Sequence, residues 1–210
     1  VGALDVDFVN GASDRNVDST LLRSKRYIRI LPYENLEQTP RLRCGPALRL
    51  TAGAPRRAGA AWYPREQEVR EGFETTFTFR LSGASLRCSV MDDVSTHCRA
   101  RGADGFAFVV QSAAPDALGH EGAGLGYDGV LSSLAVEFDT HYNPELLEPY
   151  ENHVAVHARG GRAGARRANS ANHSHALASA VHGVGDLAEG EHVARVAYTP
   201  RLEADALFSG

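Results

Sequence analysis

The stretch from Phe73 to Leu81, FETTFTFRL, places Phe73, Thr75, Phe77, Phe79 and Leu81 on one side and Glu74, Thr76, Thr78 and Arg80 on the other. A period of two is the signature of a half-buried β-strand, with one face in a core and the other in water. Comparable runs occur at Ala47 to Thr51, Ala60 to Tyr63, Gly105 to Gln111, Ser133 to His141, His153 to Ala158 and His192 to Thr199, and residues rich in Gly, Pro, Asp and Asn separate them. Helical periodicity is scarce. Many short alternating runs with such punctuation predict an all-β fold, an antiparallel β-sandwich or a barrel.

The 210 residues carry no internal repeat and no linker, so they read as a single domain over 1–210. A chain of this length buries about 70% of its unfolded surface without a metal or a disulfide mesh. Residues 1–40 are the least regular part, with polar clusters around a strand at Tyr27 to Leu31. Gly160 to Ala171, GGRAGARRANSA, reads as a surface loop. The last strand pattern ends at Thr199-Pro200, and a sandwich stopping there is expected to leave an unpaired edge. The closing strands are therefore expected to be missing.

Charge and hydropathy exclude some partners. A net charge of -4 and a pI near 6.1 argue against nucleic acid, which demands a concentrated basic surface. No window approaches the roughly 18 uninterrupted apolar residues of a membrane span. Cys88 and Cys98 lie in RCSVMDDVSTHC at a spacing that a loop-closing disulfide can bridge, and Cys44 has no evident partner. The spacing differs from the paired units of a zinc site, although His97 beside Cys98 keeps that reading open. With the sequon Asn172, His173, Ser174, the cysteine pair points to an extracellular or secretory-lumen setting.

The chemistry concentrates in SLAVEFDTHYNPELLEPYENHVAV, Ser133 to Val156. Strand alternation sends Val136 and Phe138 to a core and Glu137, Asp139 and His141 to the other face, with the carboxylates roughly 6.6 Å apart along the strand. That gap suits two cations, or one cation and a catalytic site. The next loop adds Asn143, Glu145, Glu148 and Glu151, and His153 opens the following run. A hard ion such as calcium takes carboxylate, amide and carbonyl oxygens, whereas imidazole suits manganese or zinc. Two other readings compete: an exposed polar strand face beside an acidic loop, and a retaining glycosidase with an E-x-D-x-x-E strand. Tyr142 stands where that enzyme needs its acid/base carboxylate.

In order along the chain, LRLTAGAPRRAGAAWY, GFETTFTF, RGADGFAFVVQ, ALGHEGAGLGY, the Ser133 to Val156 segment and EHVARVAY resemble the legume-type (L-type) lectins of the concanavalin A-like family. The resemblance covers about Leu48 to Tyr198 and implies a jelly-roll sandwich that binds carbohydrate without turnover, supported by Ca2+ and Mn2+ or another transition metal. It implies Glu137, Asp139, Glu148 and His153 as transition-metal ligands, and Asp139, Asn143, Glu148 and the His141 carbonyl as calcium ligands. Asp104 resembles the sugar-binding aspartate, which implies a cis Ala103-Asp104 bond. Gly122 or Gly124 and the Asn143 side chain complete the implied sugar grip, with His141 where the family places an aromatic ring. Glu148 also departs from the usual aspartate. The implied partners are glycans or glycoproteins, and the competing possibility is a metal-free interaction module of the same fold.

Overall fold

The structure, a computed structural model, describes residues 3–10, 23–24, 29–31, 47–51, 56–63, 65–84, 86–90, 96–100, 102–159 and 167–200. Cys44, the opening residues of the Gly160 to Ala171 stretch and the last ten residues lie outside them. The strands are β1 Ala3–Asn10, β2 Arg23–Ser24, β3 Arg29–Leu31, β4 Ala47–Arg49, β5 Ala61–Trp62, β6 Phe73–Phe79, β7 Leu86–Val90 and β8 Thr96–Ala100. They continue with β9 Gly105–Gln111, β10 Ser133–Asp139, β11 His153–Ala158, β12 Ala176–Ala180 and β13 His192–Thr199. Among the described residues there is no α-helix.

Two antiparallel sheets face each other. One has the order β1-β13-β6 and the other β12-β11-β10-β9. Between them lie Val136 and Phe138 of β10, Val154 of β11, Leu187, and Ala194 and Val196 of β13. Phe73, Phe77 and Phe79 of β6 and Phe106 and Phe108 of β9 pack against that core. The apolar side of FETTFTF therefore meets the opposite sheet, with Phe79 and Phe106 ring centroids 4.7 Å apart and Phe77 stacked on Phe108 at 5.8 Å. Burying this much aromatic surface is the main force joining the sheets. The architecture is an antiparallel sandwich, one of the two folds that the alternation leaves open.

The pairings bear on three expectations. The last strand, β13, is central in its sheet: it pairs with β6 on one side and with β1, in the irregular opening segment, on the other. The stretch around Cys88 and Cys98 is a hairpin, β7 with β8, whose register sets Cys88 opposite Cys98. The surface-loop reading of Gly160 to Ala171 fails at its C-terminal end, where Asn169 and Ala171 are buried. There Ser132 and Asn169 donate backbone N–H to the carbonyls of Arg167 and Val130, at 3.1 and 2.9 Å. Those bonds lay residues 167–175 across the outer face of the four-stranded sheet.

Candidate functional site

Strand alternation in β10 sends Val136 and Phe138 inward and Glu137 and Asp139 to the outer face, as the pattern predicts. That face is not the exposed polar surface considered from sequence. Tyr127, Ala171, Leu125 and Leu146, from three loops, cover it together with Ala135, leaving Glu137 and Asp139 only 2% and 1% exposed. Two carboxylates so placed demand compensating partners.

Glu137 finds its partners in four side chains. Tyr127 donates its hydroxyl to Oε2 at 2.6 Å, and Nε2 of His153, His157 and His173 lie 3.2, 3.0 and 2.9 Å from Oε1. The His153 and His173 Nε2 atoms are 3.1 Å apart. On the far side of two rings, His153 Nδ1 faces the Tyr150 carbonyl at 2.7 Å and His157 Nδ1 faces the Ser170 carbonyl at 2.9 Å. Burial alone raises the Glu137 pKa, but hydrogen bonds to the three imidazoles outweigh it and hold the carboxyl well below its usual range. Tyr127 is driven the other way, first by burial and then by the Glu137 charge.

Asp139 sits among oxygens. It accepts the His141 backbone N–H at 2.6 Å, and Glu148 accepts the N–H of Asn143. Burial pushes Asp139 up to about 8 and Glu148 up to about 7, and each carboxylate is further raised by neighbouring acids. Asn143 Oδ1 is buried with no hydrogen-bond partner, while its Nδ2 donates to Glu145 at 3.4 Å. A buried amide oxygen without a partner, on the residue whose N–H meets Glu148, together with the raised carboxyls of Glu148 and Asp139, is chemistry that suits a hard divalent cation. The residues fit calcium there.

The third part of the site is the turn before β9. The Ala103-Asp104 bond is cis, as the resemblance implies. Thr140, directly after β10, donates its backbone N–H to the Asp104 carbonyl at 2.9 Å, and its hydroxyl reaches that carbonyl at 3.2 Å. Gly105, at φ +140°, runs so close to β10 that a Cβ would stand 2.2 Å from the Phe138 carbonyl. The turn bearing Asp104 is thus tied to the strand bearing Asp139. Desolvation raises the half-buried Asp104 carboxyl, with His141 acting in the opposite direction.

Of the two candidate glycines, Gly122 lies beside Asp104: a Cβ built on it would be 3.7 Å from Asp104 Oδ2. Gly124 is buried against His120 and Asp128, and its N–H is directed to the Glu121 carbonyl. His141 and Asn143 follow β10 in the covering loop.

The sequence profile described as "Legume lectin domain" matches residues 34–181, which contain every residue of this site. The chain belongs to the legume lectin domain family. No solved structure matches it. The match takes in β4 to β12 and leaves β1 and β13, which complete the second sheet of this lectin domain, outside it. Legume lectin domains bind carbohydrate, generally hold Ca2+ and a transition metal, and are commonly extracellular or secretory-pathway proteins.

Of the implied transition-metal ligands, Glu137 and His153 come together in this lectin domain, and the third member of their compact group is His173. Asp139 and Glu148 stand with the oxygen donors. Sequence reasoning missed Tyr127, His157 and His173. The signal for His157 was present, since His153 and His157 are both even steps from Glu137's neighbours on one face of β11. His173 had no local signal: it lies inside the triplet read as a sequon, where Asn172 accepts the Ser174 N–H and caps a short 3-10 turn.

Proposed function

We propose that this legume lectin domain is a non-enzymatic carbohydrate-binding module whose sugar site is Asp104, the backbone amide of Gly122, Asn143 and His141. The observation that carries the reading is the approach of Gly122 to Asp104, whose turn Thr140 ties to the carboxylate strand. Sugar hydroxyls both donate and accept, so a fixed carboxylate, an amide and a backbone N–H together read their orientation. Calcium, held by Asp139, Asn143, Glu148 and the His141 carbonyl, would supply the charge that keeps this loop in place. Asn143 then serves twice, through Oδ1 toward the ion and through Nδ2 toward the sugar. Glu137 is enclosed by Tyr127 and three imidazoles, which supports binding without hydrolysis, because an attacking carboxylate must be free to reach a sugar.

The setting we infer is extracellular or the secretory lumen, with glycans or glycoproteins as partners. The facing positions of Cys88 and Cys98 on β7 and β8 support it; intact mass with and without reductant should show a gain of two hydrogens per bridge.

A glycan-array screen with calcium and manganese, repeated after chelation, tests the binding function. Chelator-sensitive binding to one sugar class is expected. A folded protein silent in both conditions would overturn the reading in favour of a metal-free interaction module.

A further inference from the structure

Asn172 is the only asparagine of the chain with Ser or Thr two places on, and no proline lies within or directly after the triplet. The triplet folds as a turn whose middle and outer residues face opposite ways. His173 reaches inward to Glu137 at 2.9 Å, with 7% of its side chain exposed, while Ser174 and His175 are exposed. Asn172 Oδ1 accepts both the backbone N–H of Ser174, at 3.0 Å, and its hydroxyl, at 2.6 Å. A backbone N–H can only donate, so the amide atom that meets it is the oxygen, and Nδ2 takes the outer corner. Nδ2 is neither hydrogen-bonded among the described residues nor shut away from solvent. The segment is held without it, because the N–H groups of Ala171 and Asn172 go to Asp128 Oδ1 at 3.0 Å and Ser170 Oγ at 3.2 Å. A group attached to Nδ2 therefore costs the fold no contact.

A second observation comes from the strand that this turn opens. β12 is the outermost strand of its sheet. Leu177 to Ala180 are exposed, Leu177 at 65%, and β12 carries neither a charge nor a proline. An uncharged exposed edge is a template for pairing with another chain, and soluble proteins guard such edges. Among the described residues no strand covers this one. An oligosaccharide is bulky and solubilising, and one on Asn172 stands just ahead of that edge.

We propose that Asn172 is an acceptor for an N-linked oligosaccharide that shields the edge of β12. The co-substrate is an oligosaccharide carried on a polyprenyl diphosphate. The Asn172 amide nitrogen attacks its anomeric carbon, the N–C bond forms as the C–O bond to the diphosphate breaks, polyprenyl diphosphate leaves, and the amide proton passes to a base of the transferase. The turn needs only residues 172–174, so it is available to the chain before the sandwich closes. The inference rests on the secretory setting inferred above and is independent of sugar binding.

The test routes the full chain through the secretory pathway of a eukaryotic cell and measures intact mass before and after peptide N-glycosidase. The added mass of an oligosaccharide is expected, with its complete loss on treatment and an aspartate left at position 172 in the peptide map. Asn172→Asp keeps an oxygen for both Ser174 bonds but offers no amide, so it should be secreted without the added mass; Ser174→Thr should retain it. Light scattering should show the enzyme-treated wild type and Asn172→Asp self-associating more than the modified chain. Secretion of the wild type without added mass would overturn the proposal. In that protein a Cys88–Cys98 bridge would leave the secretory setting standing, whereas free thiols would take the setting down as well. Added mass that persists in Asn172→Asp would also overturn it, and equal self-association before and after enzyme would overturn the shielding of β12. If a variant does not fold, the wild-type peptide map and the enzyme-treated wild type still decide.

Discussion

Glu137 and Asp139 are two residues apart on one face of β10, equally buried, yet burial ends in opposite ionisation states. Glu137 is wrapped by nitrogen bases and a phenol, and its carboxyl stays ionised. Burial pushes Asp139 up to about 8, and the neighbouring carboxylates Glu148 and Glu137 raise it further. Burial is the same in both places; the neighbours decide the charge. The difference teaches that one strand can hold two buried carboxylates in unlike charge states when separate loops furnish the partners of each.

The comparison predicts which half is the structural keystone. Glu137→Ala removes the acceptor shared by Tyr127, His153, His157 and His173, and breaking a buried charged network of this kind costs about 3–5 kcal/mol. Urea denaturation of the variant should show that loss even after chelation. A cost below about 1 kcal/mol would mean that the cluster relaxes without its hub.

Asp139→Ala comes next. It should abolish calcium uptake and glycan binding together, and forfeit the stabilisation that the ion gives, about 2.7 kcal/mol at a ligand concentration 100 times its Kd. Calorimetry with and without calcium measures this; a variant that still gains stability from calcium would place the ion elsewhere.

The metal-free protein should show the contrast as a pH profile. The depressed Glu137 carboxyl contributes stability above its ordinary value of 4.5 that is lost as pH falls. The raised Asp139 and Glu148 carboxyls act oppositely: their contribution is complete at acid pH and disappears as pH rises through about 7 and about 8. Thermal stability after chelation should therefore be highest near pH 4.5 and decline from there to about 8, and added calcium should remove that decline. A stability that climbs steadily from pH 5 to 9 would contradict the assignment of the oxygen half.

The smallest structural effect is expected at Asp104. Half-buried and outside both ion positions, Asp104→Ala should eliminate glycan binding while shifting stability by no more than about 0.5 kcal/mol. Retained binding on the array would show that the sugar site lies away from this turn.

Much of the oxygen half was legible in the sequence, because Asp139, Asn143 and Glu148 are close along the chain and alternation settles which way a strand residue points. The cis bond at Ala103-Asp104 and the side chains of β10 followed the same local and family patterns. The nitrogen half was only partly legible. His173 is 36 positions from Glu137, and it arrives through backbone bonds between residues 167–169 and the loop at 130–132. No periodicity records such a return.

The sequence by itself determined the strand alternation, the two faces of β10 and the order of the acids, since side-chain direction in a strand depends only on position along the backbone. The tertiary structure decided what lies over those faces. It paired β13 with β1, covered the outer carboxylates with three loops, chose Gly122 over Gly124 as the neighbour of Asp104, and gathered three histidines on one oxygen. Those outcomes depend on contacts between residues distant in the chain, where loop closure and burial, rather than local pattern, set the free energy.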